Sequence, residues 1–342
     1  LDSAEDETFK ARASFWKAES EYSLNRFDEA LVSFTAFKKI PMASTVDEYK
    51  ELDYNMAYTY FKLNDYNNAI TYFKNFTGSS DAEETKKNDA YLRLGDCYFV
   101  TSKYWPAIET YNIALKNRGG QKDYAAFQRA LSYGFVGKSD TKIEELNSFV
   151  SKYSRSTLKD DALYELGNTY IKLGEEAQGL NAYDRLIQEY KGSSLTPKAL
   201  LRQGLVHYNA SRNEQALAKF KTVVRDHSKT QEAVQAVATA KLVYVDLGRV
   251  DEYANWVRDL EFVEVTDSEL DNATYESAEK QLLENKTDAA IRGFTNYIKN
   301  FPNGAHMLNA NFKLAQLYFG KESKDSALPH YIYVADQGAS EF

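Results

Sequence analysis

This chain has little cysteine, histidine, proline or methionine. In 342 residues it holds one cysteine, four histidines, five prolines and three methionines. A single cysteine, Cys97, excludes an internal disulfide, and its place within a helical stretch is that of a buried, inert thiol. His207, His227, His306 and His330 have no partner at i, i+4 and no cysteine to pair with, so no metal centre is expected. No Gly-x-Ser-x-Gly elbow occurs. Gly137-Lys138-Ser139 has the letters that end a phosphate-binding loop. Ser132, however, stands where that loop needs glycine, and the segment joins two helices instead of following a strand. Hydrophobic runs are short, and none approaches the roughly 18 apolar residues of a membrane span. Basic charge is in deficit, with 42 Lys and Arg against 50 Asp and Glu and a pI near 5.3. That balance argues against the phosphate backbone of a nucleic acid as a partner. The composition therefore yields no catalytic residue, no cofactor and no metal ligand, and an enzyme is not expected.

What the chain does have is small residues at a fixed interval. Ala30, Ala69, Ala107, Lys142, Gly179, Ala216, Tyr253, Ala290 and Ala327 recur at intervals of 35 to 39 residues that settle at 37. Twelve residues before each mark stand Ala18, Ala57, Gly95, Ala130, Gly167, Gly204, Lys241, Ala278 and Ala315. Four residues after each mark comes a bulkier side chain: Phe34, Phe73, Tyr111, Leu146, Tyr183, Phe220, Val257, Phe294 and Tyr331. Two small residues twelve apart suit antiparallel helices whose backbones cross closely, with the larger residue filling the space beside them. A fixed period in this range signals a solenoid, because one helix pair cannot bury its apolar face alone. The expected fold is all-α: a right-handed superhelical solenoid of about nine helix-turn-helix repeats. No Ser/Gly-rich linker interrupts it, so residues 1–342 read as a single array with repeats starting near 11, 50, 88, 123, 160, 197, 234, 271 and 308.

Turn residues agree. Asn25, Asn64, Ser102, Gly137, Gly174, Ser211, Gly248, Asn285 and Glu322 occupy one recurrent position, and Gly and Asn tolerate the left-handed conformation that ends a helix. Pro197 falls at the start of a helix and Pro106 in a first turn, where a missing N–H is harmless; Pro329 lies inside the last helix and removes a backbone bond. Two repeats depart from the rule. The seventh carries Lys241 and Tyr253 at its small positions with Ala240 and Ala254 beside them, which predicts a turn two residues longer than the others. The fourth follows Gly119-Gly120, has Lys142 at the crossing and places Gly134 inside its first helix.

The pattern of a small residue, Tyr three later, a small residue nine further and an aromatic four beyond resembles the tetratricopeptide repeat. It reads Ala57, Tyr60, Ala69, Phe73 in the second repeat and Gly95, Tyr98, Ala107, Tyr111 in the third. The fifth gives Gly167, Tyr170, Gly179, Tyr183, and the ninth Ala315, Tyr318, Ala327, Tyr331. Trp is absent from the first signature position, where Ser14, Asp53, Tyr91 and Leu163 stand, and the period exceeds the usual 34 or so. The extra residues fall in junctions such as Tyr153-Ser154-Arg155-Ser156 and Phe301-Pro302-Asn303-Gly304. Such junctions are similar to those of a subgroup in bacterial envelope proteins, notably outer-membrane assembly lipoproteins and Tol-Pal coordinators. The resemblance implies a periplasmic or outer-membrane-associated location in a Gram-negative bacterium.

It also implies a concave binding groove lined by the first helix of each repeat. The family's groove positions fall on Glu51, Tyr54, Tyr58, Phe61 and Lys62 in repeat two, and on Asp89, Leu92, Asp96, Phe99 and Val100 in repeat three. In repeat four they are Tyr124, Phe127, Leu131, Gly134 and Phe135. Tyr54, Tyr58, Phe61, Leu92, Phe99, Tyr124, Phe127 and Phe135 are thus expected to form an aromatic dock for an apolar peptide or partner helix, with Gly134 admitting a ligand backbone. Arg129 falls where a buried residue belongs; a register shift of one there would turn Phe127 and Leu131 inward. A cationic patch of Asn168, Lys172, Lys198, Arg202 and Asn209 resembles the clamp by which related arrays grip a C-terminal carboxylate, although Tyr164 stands where that clamp has Lys.

The leading expectation is a non-enzymatic scaffold binding protein or peptide segments. Alternatives are a glycan-binding outer-membrane lipoprotein, against which the regular spacing argues, and a regulatory array of an enzyme whose catalytic part lies outside this chain. A tenth repeat would begin just past Phe342, and Tyr331, Ile332, Tyr333 and Val334 lack a covering helix in the sequence. The chain is therefore expected to be a piece of a longer array, with weak end-to-end self-association through its uncapped ends.

Overall fold

The computed structural model describes residues 2–337, with side chains from residue 7. Among the described residues there are eighteen α-helices and no strand, and no helix is long and apolar enough to cross a membrane. The helices fall into two compact units, Leu1–Leu173 and Gly174–Phe342.

In the first unit the helices are α1 (Asp2–Ser23), α2 (Phe27–Lys38), α3 (Leu52–Lys62), α4 (Tyr66–Gly78) and α5 (Glu84–Val100). They continue as α6 (Tyr104–Lys116), α7 (Lys122–Phe135), α8 (Ser139–Lys152) and α9 (Lys159–Lys172). Helices α1 to α8 pair as four successive hairpins, and α2, α4, α6 and α8 each pack on the helix that follows. Short 3-10 turns at Ala43–Thr45 and Asp47–Glu51 absorb the longest repeat interval.

The second unit holds α10 (Glu176–Glu189), α11 (Thr196–Asn209), α12 (Asn213–Asp226), α13 (Gln231–Leu247) and α14 (Val250–Val257). It ends with α15 (Asp267–Leu283), α16 (Thr287–Asn300), α17 (Met307–Gly320) and α18 (Lys324–Asp336). Pro197 opens α11, as the sequence predicts, and Pro329 lies within α18.

The small residues act sterically. A Cβ on Gly95 would lie 2.5 Å from Cε1 of Tyr111, and one on Gly204 would overlap the ring of Phe220. The aromatic residue sixteen positions later therefore lies over the glycine, inside the hairpin. Ala18, Ala57, Ala130, Ala278 and Ala315 are fully buried at the equivalent sites. The bulky residues Phe34, Phe73, Tyr111, Leu146, Phe220 and Phe294 are also fully buried, whereas Tyr331 is only partly so. All nine recurrent turn residues have positive φ, from 56° at Ser211 to 80° at Gly174. Serine and glutamate adopt it at some of these turns, so the hairpin geometry overrides their modest local preference.

Repeat seven corrects an expectation. Its turn is not lengthened: only Gly248 and Arg249 separate α13 from α14. Instead α13 has 17 residues and α14 only eight, which preserves the interval. Fully buried Ala240 takes the crossing position in place of Lys241, and Tyr253 stays at its mark, buried against Tyr244 at 6.0 Å between ring centres. The two tyrosines lie inside the hairpin, and Leu260, Phe262, Val263 and Val265 from the irregular segment after α14 pack against the same cluster. A capping box of Thr266 and Glu269 then starts α15.

Candidate functional site

Three helices of the first unit, α3, α5 and α7, carry the expected aromatic groove residues. Side chains one and two turns apart on one helix share a face, and hydrogen bonds connect those faces from helix to helix. Tyr54 on α3 donates its hydroxyl to Asp89 Oδ2 on α5 at 2.8 Å, and Tyr58 donates to the same oxygen. One turn on, Arg93 donates to Asp96 Oδ2 at 2.5 Å. Asp96 Oδ1 accepts the hydroxyls of Tyr111 on α6 and Tyr124 on α7, each at 2.8 Å. The Arg93 guanidinium also lies 5.6 Å from the centre of the Tyr124 ring. Burial pushes the Asp96 carboxyl above the usual carboxylate range, outweighing the opposing pull of Arg93 and the two hydroxyls. Burial is likewise the largest cause raising Tyr54, Tyr58, Tyr111 and Tyr124, so these phenols stay protonated and act as fixed donors.

The expected apolar dock is thereby divided. Tyr54, Tyr58 and Tyr124 are half-buried members of this polar network. Leu92 and Phe127 are corrections: they are 1% and 7% exposed and belong to the core. Leu92 packs with Ala107, Tyr111 and Ala125, and Phe127 with Phe149 at 5.8 Å between ring centres. On α7 the outward stripe is Tyr124, Leu131 and Phe135, and Phe127 sits one position off it, toward α8. Arg129 keeps its near-buried place by bridging two second helices, donating to Asn112 on α6 at 2.5 Å and pairing with Glu145 on α8.

Gly134 lines a cavity beside Phe135, but the space directly over it, expected to admit a ligand backbone, is taken by a side chain. A Cβ there would lie 2.8 Å from Cδ of Lys142, whose stem fills the gap while its ammonium reaches Glu165 Oε2 at 2.6 Å. That explains how a lysine serves at a crossing position: its methylenes pack and its charge emerges at a carboxylate.

Phe99 and Phe135 form a second cluster with Tyr104 at the turn end of the hairpins. Tyr104 and Phe135 stack at 4.6 Å, and Phe99 meets Phe135 edge-on at 5.3 Å. Phe135 remains 59% exposed. A shallow cavity of about 340 Å³ opens beside it, reaching Lys142, Glu165 and Lys172. Phe61 lies farther along α3, against Tyr58 and Tyr66. The residues of the expected cationic patch belong to different units. Asn168 and Lys172 are on α9 of the first, and Lys198, Arg202 and Asn209 are exposed on α11 of the second.

Three residues missed by the sequence reading, Glu19, Tyr22 and Asn55, complete a cavity of about 280 Å³ between α1 and α3. It is lined by Glu19, Tyr22, Tyr54, Asn55 and Tyr58. The signal was present: counting groove positions from Ala11 places Glu19 and Tyr22 where Tyr58 and Phe61 fall in the next repeat. Elsewhere, Cys97 is fully buried, and burial pushes its thiol up to about 12.

Residues 54–80, 161–193 and 198–230 match family models of the tetratricopeptide repeat. These segments are tetratricopeptide repeats. Solved structures of the same architecture extend the likeness along the chain. The apo form of RapI is 12% identical, with a TM-score of 0.54, covering 95% of this chain and 96% of its own. The C-terminal part of a tetratricopeptide repeat-containing protein from Cytophaga hutchinsonii is also 12% identical, with a TM-score of 0.51 over 86% of this chain and 98% of its own. YrrB, a tetratricopeptide repeat protein with an unusual peptide-binding site, is 18% identical, with a TM-score of 0.46 over 58% of this chain and 95% of its own. No curated protein matches the chain significantly. Tetratricopeptide repeats generally mediate protein–protein interaction and are typically non-catalytic.

Proposed function

We propose that this chain is a non-enzymatic scaffold that binds a segment of a partner protein along the face formed by α1, α3, α5 and α7. The observation that carries this reading is the cavity between α1 and α3, where groove positions of consecutive repeats converge on Glu19, Tyr22, Tyr54 and Tyr58. The exposed Phe135 cluster supports the reading, since an aromatic ring left 59% exposed beside a cavity is a ready anchor. The tyrosine–carboxylate network supports it as well, by fixing these side chains before a partner arrives. The aromatic–small junctions support an envelope setting for this scaffold, which fractionation of the source cells would test.

Photo-crosslinking tests the binding face. A photoreactive residue at Tyr58 or Phe135 should yield a defined partner adduct, while one at Val32, 70% exposed on α2, should not. Phe135→Ser should reduce the adduct at Tyr58 several-fold without lowering the melting temperature. Equal adducts at Val32 and Tyr58 would sink the proposal.

A further inference from the structure

The cavity between α1 and α3 has a chemistry that narrows its occupant. Glu19 is half-buried there and, among the described residues, makes no hydrogen bond or ion pair. Its carboxyl is pushed above the usual range, first by burial, with Lys86 opposing and Glu51 reinforcing. A carboxylate in this state gains from a cation brought against it.

The walls favour the same occupant. A phenol has one proton to donate, and Tyr54 and Tyr58 both commit theirs to Asp89. What these two residues leave to the cavity is oxygen lone pairs and ring faces, which attract positive charge and offer nothing to an anion. The rings are held firmly, Tyr54 at 4.9 Å from Tyr58 and 5.0 Å from Phe76 between centres, and Tyr58 at 5.4 Å from Phe73. The chain already uses one of them for a cation: Lys86 Nζ lies 5.8 Å from the centre of the Tyr54 ring. Lys86 is itself paired with Glu51 at 2.8 Å, and its influence leaves the Glu19 carboxyl raised.

We infer that this cavity is a cage for the Lys or Arg side chain of a partner polypeptide, with Glu19 as counter-charge and Tyr22, Tyr54 and Tyr58 as aromatic walls. The inference rests on the scaffold reading above and assigns the partner its chemistry: a basic segment, presented so that one cationic side chain enters between α1 and α3.

Fluorescence anisotropy on the full chain tests it with three labelled peptides. In one, Lys alternates with Ala and Leu; in the others, Gln or Glu replaces every Lys. The Lys peptide should bind, and the Glu peptide should not. Glu19→Gln should weaken the Lys peptide about tenfold, the scale of one charge-assisted contact. Tyr22→Leu should weaken it about threefold. Lys86→Gln should leave it unchanged or tighter, because a like charge is removed. Glu19→Gln should melt no lower than the parent chain, which separates loss of binding from loss of fold. If the Gln peptide binds as tightly as the Lys peptide, or Glu19→Gln changes nothing, the cation cage is overturned while the scaffold reading survives. Loss of binding in Lys86→Gln together with capture of the Glu peptide overturns it in favour of an anionic segment. If no peptide of any charge binds, both readings fall.

Discussion

Repeat three in the first unit and repeat six in the second use the same steric recipe and differ by one oxygen. Gly95 lies beneath Tyr111, and Gly204 beneath Phe220, with the ring in each case occupying the space where a Cβ would be. Phe220 belongs to an apolar cluster: Leu217, Val223, Val224 and Val237 are all buried with it. Around Tyr111 the buried hydroxyl needs an acceptor, which is Asp96, only 8% exposed. A carboxylate so placed needs its own partners, and Arg93 and Tyr124 supply them. One hydroxyl thus commits three further polar side chains and ties α5, α6 and α7 together. The phenylalanine version makes a quiet core, whereas the tyrosine version extends its polar network to the face that carries the candidate site.

The hardest test of the shared recipe is to fill the glycine. Gly95→Leu and Gly204→Leu should each destabilise the chain by about 3 kcal/mol or more, because the added atoms meet a fully buried ring with nowhere to move. Urea unfolding followed by circular dichroism should show it in both units, and an unchanged midpoint in either would mean the ring can leave its place over the glycine.

Next in size is the polar difference itself. Asp96→Ala should cost about 2 to 3 kcal/mol, since it leaves two tyrosine hydroxyls without their acceptor and takes from Arg93 its nearest carboxylate. Asp96→Asn, which keeps an acceptor oxygen, should cost less. Equal losses for the two would show that charge, not acceptance, is what the network needs.

The smallest effects come from exchanging the oxygen. Phe220→Tyr should cost about 1 to 2 kcal/mol, because its hydroxyl would enter a cluster of buried aliphatic side chains instead of meeting a carboxylate such as Asp96. Tyr111→Phe should cost about 1 kcal/mol or less, because Asp96 keeps Tyr124 and Arg93. Thermal melts of the pair would reverse the comparison if Tyr111→Phe proved the more damaging.

The hairpins and their turns were legible because each is encoded locally and then repeated. A glycine or alanine at a crossing, an aromatic a fixed distance on and a residue fit for positive φ between them are short-range requirements. All nine turn positions read from the chain adopt that conformation. The exceptions failed for equally physical reasons. In repeat seven the crossing passes to Ala240, as its place beside Lys241 suggested, but the turn is not longer, because α13 runs to 17 residues and α14 stops at eight. Gly134 looked like an opening and is a slot for the stem of Lys142, on the next helix. Phe127 and Leu92 fall on groove positions by the repeat count but are buried in the core, and pattern alone does not tell an apolar groove residue from a core one.

By itself, then, the sequence determined the helical repeat, its period, its crossings and its turns, since these depend on the volume and backbone preference of residues close together in the chain. Only the tertiary structure decided the site. The hydroxyls of Tyr54 and Tyr58 find Asp89 from 35 and 31 residues away, and Tyr124 finds Asp96 from 28. Whether a tyrosine is a core residue, a donor or the wall of a cage depends on where its single proton goes. That destination belongs to a neighbouring repeat and is absent from the residue's own surroundings in the sequence.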